Sequence, residues 1–534
     1  MALTERAHAL TVSDVLAGAA QEGGDRAFLR FHQNQVVTYA QVDEQARSMA
    51  AALAHLGVES GDRIALVLPS WPEFTVSLFA AAYLGAVVVP LDPRLSPGEL
   101  RYMLRHSEAV VAVSAETFHG VDFLEVFEDL VPHLPELQYL ITVGEEDLWY
   151  DDRIFQFEDV ISMGANKEAP ETQVDPGTDL FSIVYTAGTT GKPKGVELTH
   201  RNLVYVAAAT ADCLGLEPSD RVFGVSALFH VFGMGTALLG CALTGSSLIL
   251  QEEFHGPAAL DLVERHRATV HYGVPSVFIT ELHEQRRNPR DLSSLRAGLV
   301  AGAPVGQDVI AEVEAHLCPA VQVAYSVTEA SSTVCITRAD DPEEKRHHTV
   351  GRPIPGTRVR ILGDDGKDLP EESLGEVAVQ GPGVMRGYYR QPVETGRTFD
   401  EDGYLRTGDL GILDEDGYVH LVGRSREVII RGGFNIYPRE VEDRLHQHPA
   451  VRDAVVVGVP DDVLGEATCA AIIPMEGAIV DSEEIQEWCR ETLAEFKIPD
   501  VVKFLDAFPL TATGKIRRAE LARMMAAEVT GRRA

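Results

Sequence analysis

Between Ile64 and Pro90 the chain reads as a short apolar strand (Ile64 to Leu68), a Pro-Ser-Trp-Pro turn, a helix from Glu73 to Leu84 stopped by Gly85, and a second apolar strand from Ala86. Two strands joined by a helical crossover lie parallel, and a parallel pair must have both faces covered, so this stretch commits the chain to layered α/β architecture. A capping box, Thr38-Tyr39-Ala40-Gln41, starts the preceding helix, which is apolar at Val42, Ala46, Met49, Ala50 and Leu53 and is expected to end at Gly57. The alternation returns at Ala297 to Val300, a predicted strand, followed by Ala301-Gly302-Ala303-Pro304 and a predicted helix from Gln307 to Leu317.

At 534 residues the chain is too long for one core, since single cores stop growing at roughly 250 to 300 residues. Past Gly351 the texture changes to short strands between Gly and Asp turns: Arg358 to Ile361, Gly375 to Gln380, Tyr418 to Val422. After Gly423 strands and helices alternate again on a smaller scale, with strands at Ala454 to Val459 and Thr468 to Ile473 and a helix from Ser482 to Phe496. Asp and Glu (81) exceed Lys and Arg (46) by 35, which argues against a nucleic-acid or anionic-membrane partner. The six cysteines show no metal-ligand spacing and the N-terminus lacks a signal peptide's charged and apolar regions, so reduced thiols in the cytoplasm are expected. Val222 to Leu250 carries no formal charge, but five glycines and His230 interrupt it, and a buried helix with flanking loops is expected rather than a membrane span.

The chemistry begins at Tyr185-Thr-Ala-Gly-Thr-Thr-Gly-Lys-Pro-Lys-Gly195, directly after the apolar run Leu180 to Val184. Glycines let backbone N-H groups approach a polyanion, threonines add donors and lysines add charge, so this reads as a strand entering a phosphate-binding loop, or as a plain turn. The P-loop reading fails because Pro193, not Ser or Thr, follows Lys192. Four further segments carry polar groups in short spaces: Ala324 to Glu329, Tyr404 to Asp409, Gly423 to Glu427 continued by Arg431 to Pro438, and Pro509 to Ile516. Each has a bland explanation alone. Asp409 could cap a turn, Glu329 could pair on the surface, and Lys515 could be a solvated charge.

In their order and spacing these segments resemble the adenylate-forming superfamily of acyl-CoA synthetases, nonribosomal peptide adenylation domains and firefly luciferase, across nearly the whole chain. Leu228-Phe229-His230 with Gly233, and Gly381 to Met385 with Gly387-Tyr388, extend the match. The resemblance implies an α/β fold: a large N-terminal domain (1–425) of two α/β subdomains plus a distorted β-barrel, and a small mobile C-terminal α+β domain (426–534), with the active site between them. It also implies ATP, Mg²⁺ and coenzyme A. Thr186, Gly188, Thr189, Thr190, Gly191 and Lys194 would hold the β and γ phosphates, with Thr186 and Glu329 on Mg²⁺. Tyr325 would stack on adenine against Gly302, Ala303 and Pro304, and Thr328 would contact the α-phosphate. Asp409, assisted by Arg424, would take the ribose hydroxyls, and Lys515 would stabilise the displacement at phosphorus. For the second half-reaction the small domain would turn at Arg426, where the family more often has Lys or Asp, bringing Arg431, Gly432 and Gly433 to the thiol channel.

The acid would lie against His230, Val231, Gly233, Gly302 and Ser326, with His230 gating the carboxylate end or serving as a buried structural histidine. Ser326 stands where Gly is usual, and Ser226-Ala227 where Leu-Pro is common. Phe229 to Gly235 offers no carboxylate for a substrate amine, so an apolar acid is favoured: a medium- or long-chain fatty acid first, an aryl acid second. Coenzyme A and an acyl carrier protein present the same thiol, so the acceptor stays open between them, as does assembly into a homodimer. An inactive acyl or nucleotide sensor would be expected to lose Lys515 or Glu329, and both are present.

Overall fold

A computed structural model describes residues 3–31, 35–145, 152–170, 172–186, 192–224, 227–432, 434–461, 463–510 and 516–531. Two compact units emerge. The first comprises Met1–Val305, Val309–Arg358 and Val379–Leu405, the second Gly306–Asp308, Val359–Ala378 and Arg406–Ala534.

The first unit is built on two large sheets. One runs, in spatial order, Gly387–Tyr388, Lys194–Thr199, Leu180–Thr186, Val87–Leu91, Arg63–Val67, Ala109–Ala115, Tyr139–Val143 and Ile154–Gln156. Its centre is the crossover read from the sequence: Arg63–Val67 and Val87–Leu91 pair in parallel, joined by the helix Pro72–Leu84, which Gly85 closes at φ 71°. The helix Tyr39–His55 starts at Thr38 with both halves of the capping box formed. A second helix, Phe157–Gly164, packs across it; a Cβ at Gly164 would run into the Ser48 carbonyl.

The other sheet has nine strands: Arg352–Pro353, Ser332–Ile336, Val321–Val327, Ala297–Ala301, Val270–Gly273, Arg221–Gly224, Ser247–Leu250, Ala27–Phe31 and Gln35–Thr38. From Val321–Val327 to Ala27–Phe31 every pairing is parallel, and antiparallel strands flank both sides. The uncharged stretch from Val222 is buried but is not one helix. It contributes two of these strands, and between them lie a π-helix, Phe232–Leu239, and a short α-helix, Gly240–Thr244. An element buried all round shows no apolar period, so periodicity does not distinguish strand from helix there. Among the described residues no helix is long and apolar enough to cross a membrane.

The second unit holds two smaller sheets. Arg358–Leu362, Gly375–Gln380, Leu405–Leu413 and Val419–Arg424 make a four-stranded sheet in that order. Where the resemblance implies a distorted barrel, the described residues form this open sheet and no closed barrel, because its first and last strands do not pair. The other sheet runs Phe434–Ile436, Ile429–Arg431, Gly465–Pro474 and Val451–Asp461, with Val501–Phe504 parallel to Gly465–Pro474. Val441, Leu445, Ile485 and Cys489, from the helices Pro438–His446 and Ser482–Arg490, join one apolar cluster with Val456, Ala470 and Ile472 of the sheet. Leu521 and Met525 of the helix Arg518–Gly531 join another with Val455, Val457 and Ala471. Alternating sheet residues thus feed two clusters, as a strand with both faces covered requires.

The helix expected from Ser482 to Phe496 stops at Arg490, and Glu495–Lys497 is a separate 3₁₀ turn. The Cys489 carbonyl accepts the amides of both Thr492 and Leu493, tightening the chain. Phe496 then stacks on Phe434, centroids 4.5 Å apart, and Pro499 ahead has no N-H for a continued ladder.

Candidate active site

The strand Leu180–Thr186 buries Phe181, Ile183 and Val184. It lies between Val87–Leu91 and the antiparallel strand Lys194–Thr199, with Thr186 opposite Lys194. Thr186 therefore stands at the end of a strand fixed on both edges. Its Oγ1 is buried and has no hydrogen-bond partner among the described residues.

Around it the fold gathers side chains from distant segments. Gly387–Tyr388 pairs with Lys194–Thr199, setting Tyr388 opposite Val196, and Lys194 Nζ lies 4.0 Å from the centre of the Tyr388 ring. The Tyr388 hydroxyl donates to Glu329 Oε1 at 2.9 Å. Burial first, then the charge of Glu329, holds that hydroxyl protonated well above the ordinary tyrosine range. Glu329 rides on the 3₁₀ turn Thr328–Ala330, and its carbonyl accepts the Met385 amide at 2.8 Å. Ser331, left-handed at φ 61°, donates to the Gly383 carbonyl at 2.7 Å, while Asn202 Nδ2 donates to the Pro382 and Val384 carbonyls at 2.6 and 3.0 Å. The bonds from Met385 and Ser331 fasten the Gly381–Gly387 loop to the turn that carries Glu329, and those from Asn202 fasten it to the helix His200–Leu214.

Ala301 and Ala324 are register partners on adjacent parallel strands. Gly302-Ala303-Pro304 and Tyr325-Ser326 consequently emerge side by side at the strands' carboxyl ends, the edge where open parallel sheets bind ligands. Gly302 turns at φ 85° and Tyr325 is buried. Arg221–Gly224 belongs to the same parallel set, and the chain following it carries half-buried His230. The His230 carbonyl accepts the Met234 amide at 2.8 Å, and its ring packs 5.3 Å from that of Phe229. Val231 and Gly233 are buried at the head of the π-helix, which Thr236 Oγ1 ties to Ser332 Oγ at 3.0 Å.

In the second unit, Asp409 faces Arg424 across the strands Leu405–Leu413 and Val419–Arg424, Oδ1 to Nε 2.9 Å. Arg431 is held bidentately by Asp500, at 2.8 and 2.6 Å, and these bonds are the main cause of its raised pKa. Gly432 is left-handed at φ 57° and donates to the Leu464 carbonyl at 2.7 Å. Gly188, Thr189, Thr190, Gly191, Gly433 and Lys515 lie outside the described residues, as does the Arg426 side chain. The structure thus joins Thr186, Lys194 and Glu329 into one neighbourhood through Tyr388, a side chain that sequence reasoning noted only as part of a motif. Its signal was the Gly-Tyr pair after a glycine-rich loop; its bond to Glu329 depends on sheet pairing.

The α/β frame, the polar cluster at the strand ends and the small second unit define a nucleotide-handling enzyme, and comparison with known proteins agrees. The chain belongs to the AMP-binding enzyme family, whose model matches residues 16–389, and the AMP-binding enzyme C-terminal domain matches residues 440–515. It is 36% identical over 533 residues to the putative acyl-CoA synthetase YngI of Bacillus subtilis (strain 168), covering 96% of each chain. It is 31% identical over 538 residues to the mitochondrial medium-chain acyl-CoA ligase ACSF2 of Macaca fascicularis, covering 96% of this chain and 87% of that one. Among solved structures, the anthranilate CoA ligase AuaEII in complex with anthranoyl-AMP superposes with a TM-score of 0.89 at 27% identity, covering 99% of this chain and all of the other (100%).

Proposed function

We infer that this protein is an ATP-dependent acid–thiol ligase. A carboxylate oxygen attacks the α-phosphorus of ATP, pyrophosphate leaves, and the acyl-adenylate then gives its acyl group to the thiol sulfur of coenzyme A as AMP departs with its bonding electrons. The observation that carries this reading is the buried Thr186 hydroxyl, without a partner among the described residues, beside the Lys194–Tyr388–Glu329 cluster. A buried hydroxyl oxygen, a carboxylate and a lysine suit a magnesium-bound polyphosphate. Mg²⁺ held by Thr186 and Glu329 would spread the triphosphate's charge. The rest of the work is positioning and charge neutralisation.

Lys194 and residues Gly188, Thr189, Thr190 and Gly191 take the β and γ phosphates. Tyr325 with Gly302, Ala303 and Pro304 takes the adenine, and Thr328 the α-phosphate. Asp409 and Arg424 take the ribose, and Lys515 stabilises the crowded phosphorus. Arg431, Gly432 and Gly433 serve the thiol in the second half-reaction, with Arg426 at the hinge between 1–425 and a mobile 426–534.

A medium- or long-chain fatty acid is the first substrate class, supported by the apolar, fully buried π-helix after His230 and by the similarity to a medium-chain ligase. His230, Val231, Gly233, Gly302 and Ser326 line its carboxyl end. The likeness to an anthranilate ligase favours an aryl acid as the second reading. Coenzyme A in the cytoplasm is the proposed acceptor, with an acyl carrier protein and a homodimer the alternatives to test. Acid-dependent pyrophosphate release, measured across fatty and aryl acids with and without CoA, tests the whole. Lys515→Ala should suppress adenylate formation while sparing thioester formation from supplied acyl-adenylate; equal loss in both assays sinks the division of labour, and no release with any acid sinks the ligase.

A further inference from the structure

The helix Pro97–Ser107 presents Gly98, Arg101, Tyr102, Arg105 and His106, a stripe at helical spacing, to an open hollow of about 400 Å³. On a chain whose acidic residues outnumber its basic ones by 35, clustered positive charge is scarce. Arg101 and Arg105 are exposed, and neither has an ion-pair partner among the described residues. Glu108, just past the end of the helix, is already taken: Arg390 holds it bidentately at 2.5 and 2.6 Å. A third cation joins from another segment, with Lys192 Nζ 5.9 Å from the centre of the Tyr102 ring.

The stripe is fastened to the strand ends that carry Thr186 and Lys194. The Tyr102 hydroxyl donates to the Pro193 carbonyl at 3.2 Å, and His106 Nδ1 lies 2.7 Å from the hydroxyl of Tyr185, the residue before Thr186. Burial, then the charge of Arg390, lowers the His106 pKa, and Arg390 is itself bound to Glu108, leaving the two arginines and Lys192 as the cations of the stripe. Arginine suits phosphate oxygens because its planar fork donates two parallel bonds.

We propose that Arg101, Arg105 and Lys192 form a second anion site, beside the phosphate-binding strand ends, that receives pyrophosphate as it leaves. The inference rests on the ligase reading, which makes pyrophosphate at the neighbouring Thr186 and Lys194. The exposed arginines stand on a helix tied to those strand ends, while the ATP contacts stay with the loop and Glu329. They therefore act on the leaving anion more than on bound ATP.

The test is acid-dependent exchange of labelled pyrophosphate into ATP in the absence of CoA, comparing the full-length protein with Arg101→Gln/Arg105→Gln and with the charge-keeping Arg101→Lys/Arg105→Lys. Two exposed charge contacts predict roughly a fivefold rise in KM for pyrophosphate in the glutamine variant, with KM for ATP unmoved and much of the effect restored by lysine. Because the contacts are solvent-exposed, salt should narrow the gap. Exchange by all proteins with the same KM for pyrophosphate overturns the site and leaves the ligase standing, whereas no exchange by the parent protein overturns the ligase itself. A rise in KM for CoA in the forward reaction, with pyrophosphate unaffected, also overturns the proposal and assigns the stripe to the thiol substrate's phosphates.

Discussion

His200 makes the stability of the first unit depend on pH. It is the first residue of the helix His200–Leu214, on the chain leaving the strand that carries Lys194, and its Nδ1 accepts the Val12 amide at 3.1 Å. That amide is the first of the helix Val12–Gly23, one of the donors a helix start leaves without an internal partner. The ring is buried 4.9 Å from Phe181, and Nε2 has no partner among the described residues. Accepting at Nδ1 places the neutral ring's proton on Nε2, so a second proton would displace the Val12 bond and bury a charge. Burial accordingly lowers the His200 pKa to about 4, against the opposing pull of Asp179 and Asp14. The unfolded chain, with a histidine pKa near 6.5, binds this proton first, so the contribution is intact above about pH 6.5 and declines as pH falls towards 4. Linkage gives a loss of about 2 kcal/mol at pH 5 and about 3 kcal/mol below pH 4. Denaturant unfolding from pH 7.5 to 4.5 would measure it against His200→Gln, whose amide oxygen can still accept from Val12. Groups common to both proteins cancel in the difference. The parent should lose its advantage over the variant as pH drops; a difference constant between pH 7 and 5 would refute the argument.

Three further substitutions probe the site and its frame. Tyr388→Phe keeps the ring beside Lys194 but removes the bond to Glu329; a hydrogen bond to a charged group contributes roughly 1.5–3 kcal/mol, and half-exposed Glu329 can recruit water, so about a tenfold fall in kcat/KM for ATP is expected. Pyrophosphate release measures it, and unchanged kinetics would remove Tyr388 from the working cluster. Gly351→Ala should cost more than about 3 kcal/mol, because Gly351 sits at φ 81° and a Cβ there meets the Ile336 carbonyl and the Thr337 amide. Gly215→Ala, at φ 57° in open space, should cost only about 1 kcal/mol; thermal unfolding that ranks the two equally would show that the close contact is not the cause.

The crossover from Ile64 to Pro90 and the helix after Thr38 were legible because their signals are local: a period, a cap and a stop fall within one turn or strand of each other. The fold around Val222 to Leu250 was not, because burial on all sides erases the period that would separate the strand Ser247–Leu250 from the π-helix before it. The early stop at Arg490 depends on Phe496 meeting Phe434, a contact that local propensity cannot contain. The functional motifs stand between these cases. Glu329 taken alone could have been a surface ion-pair partner, yet among the described residues its carboxylate accepts from Tyr388 and pairs with no Lys or Arg. Asp409 could have been a turn cap, and its side chain instead meets Arg424 across a strand pair. What made such residues readable together is that several of their segments leave the ends of strands in one sheet. Adjacent parallel strands bring Gly302 and Tyr325 side by side, so their positions along the chain already encode their neighbourhood, while hydroxyl and ring contacts such as those of Tyr388 are fixed only when Gly387–Tyr388 pairs with Lys194–Thr199. Motif order therefore carries the reaction class, whereas the proposal of an apolar acid leans on the buried apolar helix that periodicity could not resolve.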